Sequence, residues 1–161
     1  MVRLMTARAP VCAPGVVDAD PRCGDASWFW DGMLAGRSGV RTLAEDWAEA
    51  LPGRFAARIA VEPSELLKPV EIRRLDRSAQ FALIAAREAW KDAGFEGKFA
   101  EPTRLGVMVG SGIGGVTTLR DAYDNLLAKG PPAVGRRTEP MLMPTSPSAY
   151  ARLGVHARAG A

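Results

Sequence analysis

One histidine, His156, and two cysteines, Cys12 and Cys23, are all that the 161 residues offer for imidazole or thiol chemistry. A mechanism that takes two histidines from this chain alone is excluded. Two cysteines make neither a disulfide framework nor a cysteine-rich zinc site. No pattern around either one marks a place that would hold a thiolate, so both read as inert thiols. His156 reads as an exposed loop residue. The other chemistry-bearing pattern is Gly110-Ser111-Gly112-Ile113-Gly114-Gly115, in which glycines at 110, 112 and 115 satisfy G-x-G-x-x-G. Glycine permits positive φ and close backbone approach, and a helix beginning there would offer free N–H groups to a phosphate. A dinucleotide site also wants a second strand ending in an acid about 20 residues further on. This sequence has Gly130-Pro131-Pro132-Ala133 there. The loop is either a nucleotide cradle or a tight strand-to-helix packing turn, and the missing strand and acid favour the turn.

The elements that must position this loop follow from hydrophobic spacing. Leu105 to Val109 is a short continuous apolar run, as expected of a strand covered on both faces. Val116, Leu119, Tyr123 and Leu126 then keep helical spacing until Gly130-Pro131-Pro132. Upstream, Arg77 to Ala93 is the clearest helix. Phe81, Ile84 or Ala85, Ala89 and Ala93 form its stripe, which Ala82, Leu83, Ala86 and Trp90 widen so far that most of it should be buried. Gly94 ends it. A helix begins near Ser27 and carries Trp28, Phe29, Met33 and Leu34, with Gly36 at its C-terminal end. Ser38-Gly39 marks a turn, and Arg54 to Val61 reads as a strand. Ser64 and Glu65 start a short helical turn, and Pro69 opens a second short helix through Leu75. Pro140 to Pro147 reads as an irregular connection before a helical start at Ser148 to Leu153. Helices alternating with buried strands make this an α/β layer fold.

Composition narrows the function classes. Apolar residues are 47% and charged residues 24%, which suits one globular domain with its own core. A net charge of +3 is too small to imply nucleic acid. No apolar stretch approaches the roughly 20 residues of a membrane span. Met1 to Ala13 lacks the apolar run of a secretory signal, so a reduced cytoplasmic setting is expected.

Three motifs in order carry a family resemblance. Phe29-Trp30-Asp31-Gly32-Met33-Leu34-Ala35-Gly36-Arg37-Ser38-Gly39-Val40 is the first, and Arg73-Arg74-Leu75-Asp76-Arg77-Ser78-Ala79-Gln80-Phe81-Ala82 the second. Arg104-Leu105-Gly106-Val107-Met108-Val109, running into the glycine loop, is the third. Together they resemble the amino-terminal half of a β-ketoacyl-acyl-carrier-protein synthase of the chain-elongating, type II branch. The resemblance runs from about Trp28 onward and leaves residues 1–27 as an unmatched, irregular segment. The Pro, Ala, Arg and Cys content of residues 7–27 resembles a GC-rich gene read in a wrong frame, with natural divergence as the alternative.

The resemblance implies a thiolase-like layered fold, here as an incomplete amino-terminal half, working as a homodimer. It implies a decarboxylating Claisen condensation without metal, nucleotide or other cofactor. In the family a cysteine thiolate at a helix N-terminus takes the acyl chain, and two histidines assist the carbanion. None of these catalytic residues is matched in this sequence, which stops short of the cysteine-bearing turn. Binding residues can be carried over. Ile113 matches the residue that guards the acyl pocket, or is an ordinary packing isoleucine. The glycine loop, Gly110, Ser111, Gly112, Gly114 and Gly115, surrounds it. Arg73 and Arg74 match a basic patch that meets the acidic acyl carrier protein, or form a solvated helix face. Asp76 is expected to pair locally with Arg73 or Arg77. The chain is therefore expected to be a synthase fragment without condensing activity of its own. The alternatives are a non-catalytic partner of a synthase and a nucleotide-binding module.

Overall fold

The structure, a computed structural model, describes residues 26–59, 61–94 and 102–158. Cys12, Cys23 and nearly all of the segment expected to be irregular lie outside the described residues. Two compact units divide at Glu62 and Pro63.

In the unit ending at Glu62, helix α1 spans Ala26–Leu34. Gly36 sits at φ +64°, donating to the Met33 carbonyl at 3.1 Å, while Arg37 N–H reaches the Gly32 carbonyl at 3.0 Å. This pair of bonds is a Schellman ending, for which glycine is the least strained residue. Ser38 Oγ then accepts from Val40 N–H at 3.2 Å, which makes the expected turn. Strand β1 (Val40–Thr42) pairs antiparallel with β2 (Phe55–Ala57), Val40 opposite Ala57 and Thr42 opposite Phe55. The strand expected over Arg54 to Val61 is thus shorter. Arg58, just beyond it, turns its guanidinium to the Glu45 carboxylate.

The unit beginning at Pro63 is built from helices. Two short ones, α2 (Pro63–Leu66) and α3 (Pro69–Ile72), lead into α4 (Arg77–Asp92). Pro69 suits the first turn of α3, where its missing N–H has no partner to lose. Glu71 reaches back to accept from Lys68 N–H at 2.9 Å. Helix α3 ends at Ile72, although Leu75 N–H still donates to the Glu71 carbonyl at 3.0 Å; the buried Gln80 side chain donates to the carbonyls of Leu75 at 2.8 Å and Ile72 at 3.3 Å. The core is Leu67, Leu75, Ala79 and Leu83, flanked by Ile72, Ile84 and Tyr150. Burial on α4 is concentrated in its first two turns; from Ile84 onward its apolar side chains are only half-buried, against the expectation of a mostly buried helix. Gly94, at φ +71°, closes it as expected.

Residues Leu105 to Val109, expected as a strand, belong to no strand among the described residues. Leu105, Val107 and Val109 are half-buried, whereas Met108 is 90% exposed. This is a correction: the segment is covered on one side, not both. A continuous apolar run reads the same in either case. Val109 is pinned by Ser148, whose Oγ accepts from its N–H at 2.8 Å and donates to its carbonyl at 3.1 Å.

Helix α5 (Val116–Lys129) follows the glycine loop and ends at Gly130, φ +78°. Helix α6 (Thr138–Leu142) lies where an irregular connection was expected, with Pro140 tolerated in its first turn. Helix α7 (Ser146–Gly154) packs along α4. A Cβ on Gly154 would stand 2.5 Å from Leu83 Cδ1, so a larger residue there would have to displace that leucine side chain. Among the described residues no helix is long and apolar enough to cross a membrane.

Candidate functional site

The glycine loop is held through its backbone N–H groups, by Ser111 within it and by Leu142 outside it. Gly114 N–H donates to Ser111 Oγ at 2.9 Å, Gly115 N–H to the Leu142 carbonyl at 2.9 Å, and Val116 N–H to the Gly114 carbonyl at 3.0 Å. Gly114 sits at φ +80°, and a Cβ on it would overlap the Leu142 carbonyl. A Cβ on Gly115 would stand 2.5 Å from the Met141 carbonyl and 2.7 Å from Asp76 Cγ. Gly110 and Gly112 have open space where a Cβ would be. Two of the glycines are thus demanded by packing against α6 and Asp76, and two are not.

Asp76 is the residue that organises this corner. It is the N-cap of α4, and its Oδ1 accepts from Ser78 N–H and Ser78 Oγ–H, both at 2.9 Å. Its Oδ2 accepts from Thr118 N–H at 3.3 Å and Thr118 Oγ1–H at 2.6 Å. This geometry joins it to Ser78 and Thr118, partners not among those expected; the Arg77 guanidinium lies 5.3 Å from the centre of the Phe81 ring. Burial pushes the Asp76 carboxyl up, but the Thr118 and Ser78 hydrogen bonds outweigh it and hold the group below the ordinary carboxylate value. An aspartate two residues before a serine was a readable signal for the α4 cap. Its second partner was not.

This arrangement agrees with the packing-turn reading of the loop. At the α5 N-terminus the N–H groups of Gly114, Gly115, Val116 and Thr118 already donate to Ser111, Leu142, Gly114 and Asp76. The place of the anion is taken by the protein's own carboxylate.

Ile113, at the loop's crest, is 68% exposed and packs into no core among the described residues. Arg73 and Arg74 are both exposed, as expected, but they lie in the turn after α3 and not on the helix. His156 is exposed and adopts φ +56°.

The model of the β-ketoacyl synthase N-terminal domain matches residues 10–153. The chain belongs to the β-ketoacyl synthase family. It is 36% identical over 138 residues to the 3-oxoacyl-[acyl-carrier-protein] synthase 2 of Coxiella burnetii, covering 85% of this chain and 32% of that protein. It is 33% identical to the enzyme of the same name from Staphylococcus aureus, over 87% of this chain and 34% of that one. The crystal structure of a β-ketoacyl synthase from Burkholderia phymatum superposes with a TM-score of 0.65 at 26% identity, over 91% of this chain and 36% of that chain. The expected thiolase-like α/β fold, in its amino-terminal portion, is borne out. The chain spans about a third of the length of these synthases.

Proposed function

We propose that this chain is the substrate-presenting, amino-terminal part of a β-ketoacyl-acyl-carrier-protein synthase of fatty-acid or polyketide synthesis, and that it performs no condensation alone. In the family's reaction an acyl group passes from carrier thiol to a cysteine. Malonyl carrier protein then loses CO2, and the resulting carbanion forms the new C–C bond as it expels that thiolate. A single histidine cannot supply the pair this needs. The family match over residues 10–153 carries the reading.

Within it, the glycine loop Gly110, Ser111, Gly112, Gly114 and Gly115 presents Ile113 to the acyl chain. An exposed branched side chain on a loop fixed at both ends supports that role. Arg73 and Arg74 meet the acidic acyl carrier protein, a contact that steers association and weakens with salt. Helix α5 has no buried residue and turns Val116, Leu119 and Tyr123 outward at helical spacing, which supports pairing with a second copy in a homodimer. The setting is the cytoplasm. The test is to mix the purified chain with carrier protein bearing a labelled acyl thioester. Salt-sensitive binding without transfer of label is expected; acylation of Cys12 or Cys23 with turnover would overturn the reading.

A further inference from the structure

A cleft of about 380 Å³ opens between α3, α4 and α7 and is separate from Ile113. Its volume lies within the range of small-molecule sites. Leu75 and Leu83 of the core line it, with Tyr150 beside them. Three charged side chains reach the same space: Glu71, Arg87 and Arg74. Two of them cancel. Arg87 donates through both terminal nitrogens to Glu71, at 2.5 and 3.3 Å. Arg87 beside it holds the Glu71 carboxyl below the ordinary value, so the pair stays charged and mutually neutralised through the neutral range. The guanidinium of Arg74 has no hydrogen-bond or ion-pair partner among the described residues. His156 adds an imidazole that can donate one hydrogen bond in its neutral form.

We propose that this cleft binds a small organic monoanion with a compact apolar body, its carboxylate on Arg74 and its body against Leu75, Leu83 and Tyr150. One unneutralised cation beside an apolar floor selects for both properties at once. A neutral apolar molecule leaves Arg74 without a partner. A compact, multiply charged anion gains nothing from the leucines and finds one unneutralised cation for its several charges. The site shares Arg74 with the proposed carrier contact but does not rest on the synthase reading, and its failure would leave that reading untouched.

The test is calorimetric titration of the whole chain with 3-phenylpropanoate, with 3-phenylpropan-1-ol and inorganic phosphate as separate probes at matched ionic strength. The carboxylate should bind saturably and at least tenfold more tightly than the alcohol or phosphate. Arg74→Gln should weaken it at least tenfold and Arg74→Lys about threefold, while Arg73→Gln should change it less than twofold. Melting curves check that each variant folds, and the Arg73 and lysine variants keep the test decisive if the glutamine one does not. Equal binding of the alcohol would overturn the proposal, as would equal binding of phosphate, an equal loss in Arg73→Gln, or no saturable binding of the carboxylate.

Discussion

Asp76 and Thr118 are 42 residues apart in sequence, yet the threonine donates both its backbone N–H and its hydroxyl to one carboxylate oxygen. The other oxygen caps α4 through Ser78. One side chain thereby serves the first turns of two helices. Asp76→Ala should cost more than an ordinary N-cap loss of about 0.5–2 kcal/mol, because Thr118 loses its acceptor too. Asp76→Asn should cost less, since an amide oxygen still accepts. Urea unfolding of the three proteins measures the order, and equal stability of Asp76→Ala and the parent would refute the shared cap.

Acid should expose the same carboxylate. The folded-state value of Asp76 lies below the ordinary one, so its contribution is present above the unfolded value and is lost as pH falls through the folded value. Stability should therefore fall as pH drops below about 4. Glu71, lowered chiefly by Arg87, adds in the same direction. Melting temperatures from pH 7 to pH 3 should decline less steeply in Asp76→Asn than in the parent.

The four glycines of the loop should divide into two pairs. Gly114→Ala and Gly115→Ala place a methyl group against fixed backbone or Asp76 and should each cost on the order of 1–3 kcal/mol or more. Gly110→Ala and Gly112→Ala meet nothing and should be nearly neutral. Thermal denaturation of the four single variants would show it. A uniform loss would mean that the loop's conformation, and not its packing, sets the demand.

Charge reversal tests the proposed carrier contact. Exposed ion pairs are each worth roughly 0.2–1 kcal/mol, so carrier-protein binding should be weak and should fall with salt. Arg73→Glu with Arg74→Glu should abolish it at low ionic strength. Unchanged affinity in the double variant, or binding indifferent to salt, would remove these arginines from the interface.

Self-association should depend on α5. Leu119→Lys with Tyr123→Lys places charge on an exposed apolar stripe and should shift the sedimentation profile toward monomer. No shift would place any dimer contact elsewhere.

Helix endings were the most legible part of the fold, because Gly36, Gly94 and Gly130 each take the positive φ that closes a helix. That chemistry is local and so is written locally. Strand β1 was hidden because three exposed residues carry no period, and α6 because Pro140 in a first turn looks like a breaker. The apolar run Leu105 to Val109 was visible, but not which side of it would be covered. At the candidate site the glycine loop could be read as a turn from its missing acid. Its dependence on Asp76 could not, since the contact joins distant segments and neither residue type announces the other.

The reciprocal pair between Ser148 and Val109 means that a hydroxyl does the work of a neighbouring strand for one residue. It accepts and donates where an antiparallel partner would do both with its backbone. A strand arriving from another molecule at that rung finds it already taken and must exchange two bonds for two, with no net gain. Val109 is thereby guarded against chance recruitment into aggregates at one rung of a segment with no strand partner among the described residues. Ser148→Ala would lift that guard without altering a single apolar contact.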